Sequence, residues 1–217
     1  MKPVLNDVLQ DLCTTPGPSG FERDIAQKAK AYLSPVSDSL TVDNVGNVIA
    51  RIDGTDPALK PVMVYAHMDR VGMIVSFVTE DGLLRLQAIG GVPDKVLPGS
   101  RVLVRTASGA WQCGVVGTKC NHLMTEEEKQ RVQPMRELLV DVGADSAEQA
   151  KEMGFAIGCP VVYEPVYRPL CGRRVAATAL DNCGCVAALV GIARQLYQAR
   201  PQRTTYLAAT VWEEYNQ

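Results

Sequence analysis

Pro61-Val62-Met63-Val64-Tyr65-Ala66-His67-Met68-Asp69 is the stretch from which the rest of the chain is read. An uncharged run leads directly into a histidine and an aspartate. Such a run predicts a strand buried on both faces, the pattern of an α/β sheet. In extended chain, residues two apart point to the same side. His67 and Asp69 are therefore expected side by side where the strand ends, the place where open α/β sheets put their ligand sites. There an imidazole can bind a metal while a carboxylate fixes the ring. By itself His-x-Asp is a weak signal for such a role.

Working outward, Ser19 ahead of Phe21-Glu22 offers N-capping chemistry. Ile25, Ala26, Ala29 and Leu33 follow at helical spacing. Residues 40–42 and 48–52, joined by Asp43-Asn44-Val45-Gly46-Asn47, predict a β-hairpin, and 53–57 a loop. From residue 71 the texture changes. Short β-type runs at 71–78, 83–89, 101–105 and 111–116 are punctuated by Gly90-Gly91, Pro98-Gly99 and Ser108-Gly109, which predicts a small barrel or sandwich. A short helix over 146–153, opened by Ser146, and a strand at 160–163 complete this stretch. Beyond Arg173 the α/β texture returns. Residues 185–199 predict a helix with Val186, Leu189, Val190, Ala193 and Leu196 on one face, and 204–212 a second buried strand. The expected organisation is an α/β domain from residues 1–70 and 171–217, interrupted by a β-rich module at 71–170.

The 217 residues, 47% hydrophobic and 21% charged, make an ordinary globular chain of one to two domains at roughly 150 residues each. A core of useful size is available, which excludes disorder as the main state. A formal net charge of -2 gives no basic field to attract nucleic acid or anionic lipid. No apolar run approaches the roughly 18 residues that cross a bilayer. Asn6, Asp7 and Gln10 interrupt the N-terminus where a signal peptide needs an apolar core, so the cytoplasm is expected. The seven cysteines are odd in number and scattered, with no C-x-x-C pair. They are expected to be reduced, buried thiols rather than a disulfide framework or a zinc ribbon.

Two further clusters sit beside predicted elements. Asp181-Asn182 directly precedes the long helix, as a helix N-cap or as a carboxylate able to bridge two cations. Glu213-Glu214 ends an apolar strand, where adjacent side chains point opposite ways. It reads as an exposed strand end, or as one metal ligand beside one base acting on water. His, Asp and Glu at the ends of different elements suit a catalytic divalent site with nitrogen and oxygen ligands. The other histidine, His122, reads as structural, and Glu126–Lys129 as a solvated helix start.

The segments Ala66-His67-Met68-Asp69-Arg70-Val71-Gly72, Ala179-Leu180-Asp181-Asn182 and Val211-Trp212-Glu213-Glu214 resemble, in order and spacing, the M42 metallo-aminopeptidases. Residues 15–22, 43–47, 114–119 and 141–144 add further matches, and the likeness runs through essentially the whole chain. It implies a zinc-peptidase-like α/β domain with an inserted β-barrel, PDZ-like dimerisation module. It also implies two divalent metals, zinc or cobalt, a peptide substrate trimmed from its N-terminus, and cytosolic homo-oligomers built from dimers. By the same resemblance His67 is a ligand of one metal, Asp181 the bridging carboxylate and Glu214 a ligand of the other. Glu213 is then the general base and Asp69 the support of His67.

Several departures shape the expectation. Family members run well past the Glu-Glu pair to a further Asp and a His ligand, so the chain reads as C-terminally truncated, with an incomplete α/β domain and two ligands missing. Arg70 stands where a Glu is usual. Cys183 alone separates Asn182 from Gly184, where Arg and one more residue are usual. An aminopeptidase inactive or impaired as these 217 residues is expected. The alternative is a non-catalytic remnant acting in assembly or peptide binding. A carbohydrate hydrolase is disfavoured, because neighbouring carboxylates on a strand cannot flank a glycosidic bond.

Overall fold

A computed structural model of the chain describes residues 5–216. Residues 1–4, the head of the stretch weighed above as a signal peptide, and residue 217 lie outside it. Along the chain run α1 (Leu5–Thr14), α2 (Arg23–Leu33), β1 (Ser39–Val42), β2 (Val48–Ile52) and β3 (Val62–His67). Next come β4 (Gly72–Val78), β5 (Leu84–Ile89), β6 (Arg101–Arg105), β7 (Trp111–Gly117), α3 (Glu126–Gln130), β8 (Leu139–Asp141), α4 (Ala147–Glu152) and β9 (Pro160–Tyr163). The last are β10 (Tyr167–Pro169), β11 (Val175–Ala177), α5 (Leu180–Gln198) and β12 (Thr205–Thr210). They group into two units, one from the segment ending at Arg70 together with Pro165–Asn216, the other from Val71–Glu164.

In the first unit a four-stranded sheet has the order β1-β2-β12-β3. The predicted hairpin forms, with Val42 opposite Val48, and β12 runs antiparallel to β2 but parallel to β3. Parallel pairing brings the C-terminal ends of β3 and β12 together, with Thr210 opposite His67. The apolar faces of α1, α2 and α5 meet the sheet in one core that includes Val8, Leu12, Ile25, Leu33, Val186 and Leu207. β10 and β11 form a separate small ladder.

Two expectations fail here. β3 is not buried on both faces: Val62, Met63, Val64 and Tyr65 are 40–71% exposed, and only Ala66 and His67 are covered. An apolar run reports how readily residues form a strand, not how many neighbours the strand has. β3 lies at the edge of the sheet. Nor does Ser19 cap α2. Glu22 takes the cap position without a side-chain bond, and the Ser19 hydroxyl is buried without a partner among the described residues. The backbone there is tied to Arg70 instead, whose N–H donates to Gly17 O (3.2 Å) and whose carbonyl accepts from Ser19 N–H (3.1 Å).

The second unit is a closed six-stranded barrel, β4-β5-β8-β7-β6-β9, which decides between barrel and sandwich. Alternating burial on β5 and β6 sends Leu84, Leu86, Val102 and Val104 inward to meet Met73, Val140 and Phe155. Gly82 turns β4 into β5 at φ +80°, where a Cβ would lie 2.8 Å from the carbonyl oxygens of Ala144 and Ser146. Ser146 caps α4 as expected, accepting from Gln149 N–H. The thiol expectation holds in part. All seven cysteines are free, but Cys113, Cys120, Cys171 and Cys185 are exposed.

These burials give opposite expectations for two residues of one sheet. Leu207→Ala, in the core, is expected to cost about 2–5 kcal/mol. Tyr65→Ser, on the exposed edge strand, is expected to stay within about 0.5 kcal/mol of the parent. Urea unfolding of both variants checks the contrast, and equal losses would mean that β3 is covered.

Candidate functional site

Beyond the paired ends of β3 and β12 the chain carries Asp69, Glu213 and Glu214, while His67 ends β3 itself and Asp181 lies at the start of α5. His67 is the last residue of β3 and is mostly buried. Its Nδ1 lies 3.3 Å from the main-chain carbonyl of Asp69 and 3.5 Å from Asp69 Oδ1. An imidazole whose Nδ1–H is held in this way presents its Nε2 lone pair outward. That nitrogen is 3.2 Å from Asp181 Oδ1 and 3.6 Å from Glu213 Oε2. Ligand atoms of His67, Glu213 and Glu214 all lie within 4.8 Å of one another. The three acidic or histidine clusters singled out from sequence thus converge on one place.

The way each cluster arrives differs from the expectation. Asp69 is fully buried, and its carboxylate accepts from the backbone N–H groups of Glu213 (3.3 Å) and Glu214 (3.0 Å). It braces the Glu-Glu turn as much as the imidazole. That turn is not strand: β12 ends at Thr210, and Trp212 adopts φ 66°. Glu213 and Glu214 consequently do not point opposite ways. Both reach His67, one from an exposed and one from a buried position. Asp181 is not an N-cap either. The cap position is Ala179, and Asp181 and Asn182 depart from helical backbone, joined by a cis peptide. The Asp181 side chain is left largely exposed while its Oδ1 faces His67.

Two supporting residues lie in the matched segments 15–22 and 43–47, where the sequence itself shows only capping and turn chemistry. Asn47 Oδ1 accepts from Val211 N–H at 3.0 Å, so the hairpin turn also steadies the chain leaving β12. Glu22 is buried and accepts from Gly20 N–H at 2.8 Å. Burial raises its carboxyl above the usual carboxylate range. Desolvation does the same to Glu214, opposed by His67 and reinforced by Asp181, Glu213 and Asp69. His122 lies exposed in the other unit, outside this group.

The site therefore sets an imidazole among carboxylates. Among the described residues, Asp69, Asp181 and Glu213 face no lysine or arginine, and the nearest basic group to each is the His67 ring. Excess negative charge with mixed nitrogen and oxygen donors is chemistry that a divalent cation satisfies.

An α/β unit that gathers such groups beyond its strand ends, in a chain that also forms a closed barrel, is the arrangement to compare with known proteins. The sequence profile of the M42 glutamyl aminopeptidases matches residues 46–216, and the chain belongs to this family. It is 36% identical to lysyl aminopeptidase of Pyrococcus furiosus over 96% of its own length and 59% of that protein's. Among solved structures, an aminopeptidase of the archaeon Desulfurococcus kamchatkensis superposes with a TM-score of 0.91 at 31% identity, covering 98% of this chain and 57% of the other. The Pyrococcus horikoshii TET1 peptidase, described as assembling into a tetrahedron or a large octahedral shell, superposes with a TM-score of 0.88 at 30% identity, covering 98% and 62%. The chain thus spans somewhat more than half the length of these relatives.

Asp69 supplies the test of this geometry. Asp69→Ala leaves two N–H groups without their acceptor and is expected to lower stability by about 2–4 kcal/mol. Asp69→Asn keeps one acceptor oxygen and is expected to cost less. Urea unfolding followed by tryptophan fluorescence measures both. An alanine variant as stable as the parent would remove Asp69 from its bracing position.

Proposed function

We propose that this cluster is the metal-binding and catalytic end of an aminopeptidase that removes N-terminal residues from peptides. His67, Asp181 and Glu214 would be the ligands that these residues contribute to two divalent cations, zinc or cobalt, with Asp181 the carboxylate that both would share. Glu213 is the general base. The observation that carries this reading is the convergence of His67 with Asp181, Glu213 and Glu214 in a chain of the M42 family. The donor set fits, since an imidazole with its Nδ1 already engaged and carboxylates lacking another base suit a divalent cation.

When bound, such cations polarise a peptide carbonyl and make water a stronger nucleophile. The chain's own residues do the rest. Asp69 and its carbonyl hold the His67 ring, and the Asp69 carboxylate holds the turn that presents both glutamates. Glu213, exposed beside buried Glu214, is the carboxylate free to take a proton from water and return it to the departing amine. A glycosidase reading is weaker, because its paired carboxylates stand about 5–9.5 Å apart across a sugar. Here ligand oxygens of Glu213 and Glu214 lie within 4.8 Å of each other and of a His67 ring nitrogen, closer than that separation.

The barrel of the second unit is proposed as a PDZ-like dimerisation module of a homo-oligomer, supported by the assemblies described for TET1 peptidase. The alternative role in assembly without catalysis would use this same unit. No helix among the described residues is long and apolar enough to cross a membrane. The seven free thiols suit a reducing cytoplasm.

For these residues by themselves, spanning 59% of the lysyl aminopeptidase, weak metal binding and little hydrolysis of aminoacyl-anilides are expected. Calorimetric titration with Zn2+ or Co2+ tests the ligands. His67→Ala and Glu214→Ala are expected to weaken binding at least about tenfold, whereas Glu213→Gln retains it. A parent chain with no affinity, or a Glu213→Gln variant as damaged as His67→Ala, would overturn the assignment. Sedimentation in the presence of a chelator tests the barrel. Dimers are expected to persist, and monomers would count against the module.

A further inference from the structure

Arg70 follows Asp69 directly, yet its side chain leaves the acidic cluster. It is the only buried Lys or Arg among the described residues, 5% exposed. Nη1 donates to the carbonyl of Cys13 (3.1 Å), and Nη2 to those of Leu12 (3.1 Å) and Thr15 (2.7 Å). Nη2 also lies 3.8 Å from Cys183 Sγ, while Nε is buried without an acceptor. α1 ends at Thr14, so these carbonyls belong to the helix end, where acceptors lack intrahelical partners and partial negative charge collects. A buried guanidinium with no carboxylate is costly unless dipoles surround it, and the helix end supplies them.

This cap joins three remote segments. Arg70 ends the stretch that begins at His67. Cys183 lies two residues beyond Asp181. The end of α1 is in turn bonded to the approach to α5, through Thr178 Oγ1 donating to Cys13 O (3.4 Å) and Cys13 Sγ to Ala179 O (4.0 Å). We infer that Arg70 is a positioning residue: by clamping the end of α1 to Cys183 it sets the distance between His67 and Asp181. As far as metal affinity is concerned, this rests on the function proposed above. The placement of His67 does not.

The test uses the 217-residue chain with Arg70→Met, Arg70→Lys and, as a cavity control in the same core, Leu33→Ala. The chain has two histidines, so proton–carbon spectra of the metal-free protein resolve His67 against His122, which lies in the other unit. In Arg70→Met the His67 ring signals are expected to move or broaden while those of His122 stay. Arg70→Lys is expected to fall between, since an ammonium keeps the charge but not the planar fork. Leu33→Ala is expected to move neither. Co2+ affinity is expected to fall at least about tenfold in Arg70→Met, partly recover in Arg70→Lys, and hold in Leu33→Ala. Unchanged His67 signals in folded Arg70→Met, or equal shifts in Leu33→Ala, would overturn the inference. If Arg70→Met does not fold, unchanged signals in Arg70→Lys overturn it. A parent that binds no Co2+ while His67 still responds to Arg70→Met would sink the proposed function and spare the inference. Co2+ binding that ignores both Arg70 variants, with His67 unmoved, would do the reverse.

Discussion

The buried Asp69 carboxylate, accepting the backbone N–H groups of Glu213 and Glu214, is the constraint on which the site depends. A carboxylate at the end of a glutamate side chain is easily redirected by a small change in backbone. Fixing the two amides fixes where both glutamates start. Because the bond is to the main chain, it is indifferent to what those glutamates bind. It also keeps the Asp69 charge compensated by dipoles in a place where a bare carboxylate would be expelled.

Sheet topology makes that bond reachable. β3 and β12 are about 140 residues apart in sequence but adjacent and parallel, so both strands deliver their following loops to the same end. An antiparallel partner would have sent one loop to the opposite end. The hairpin turn adds Asn47, whose Oδ1 accepts the Val211 N–H. The left-handed Trp212 is therefore flanked by bonded amides, Val211 before it and Glu213 after it.

Much of this was legible in the sequence. The hairpin, the barrel strands, α4 with its Ser146 cap and the apolar face of α5 follow from local periodicity and turn chemistry, which act over a few residues. The three polar clusters were recognisable because they interrupt apolar segments. What could not be read is non-local. The coverage of β3 depends on its neighbours rather than on its composition. The role of Asp69 depends on amides far along the chain, and Glu22 and Asn47 resemble ordinary solvated turn residues until their partners are known. α1 is an intermediate case. Leu5, Val8, Leu9 and Leu12 have helical spacing, but a composition argument about leader peptides passes over them.

Asp69 and Arg70 show how neighbouring residues can be buried together without neutralising each other. Paired, they would have cancelled, and the acidic cluster would have lost an imbalance it uses. Instead Asp69 turns to the amides of the glutamate turn, while Arg70 turns to the carbonyls ending α1. No ion pair joins the two among the described residues. Each charge is satisfied by backbone dipoles of the opposite sense. The consequence is electrostatic. The cation nearest in sequence does not quench the carboxylates around His67, so their combined field remains available to a positive ligand.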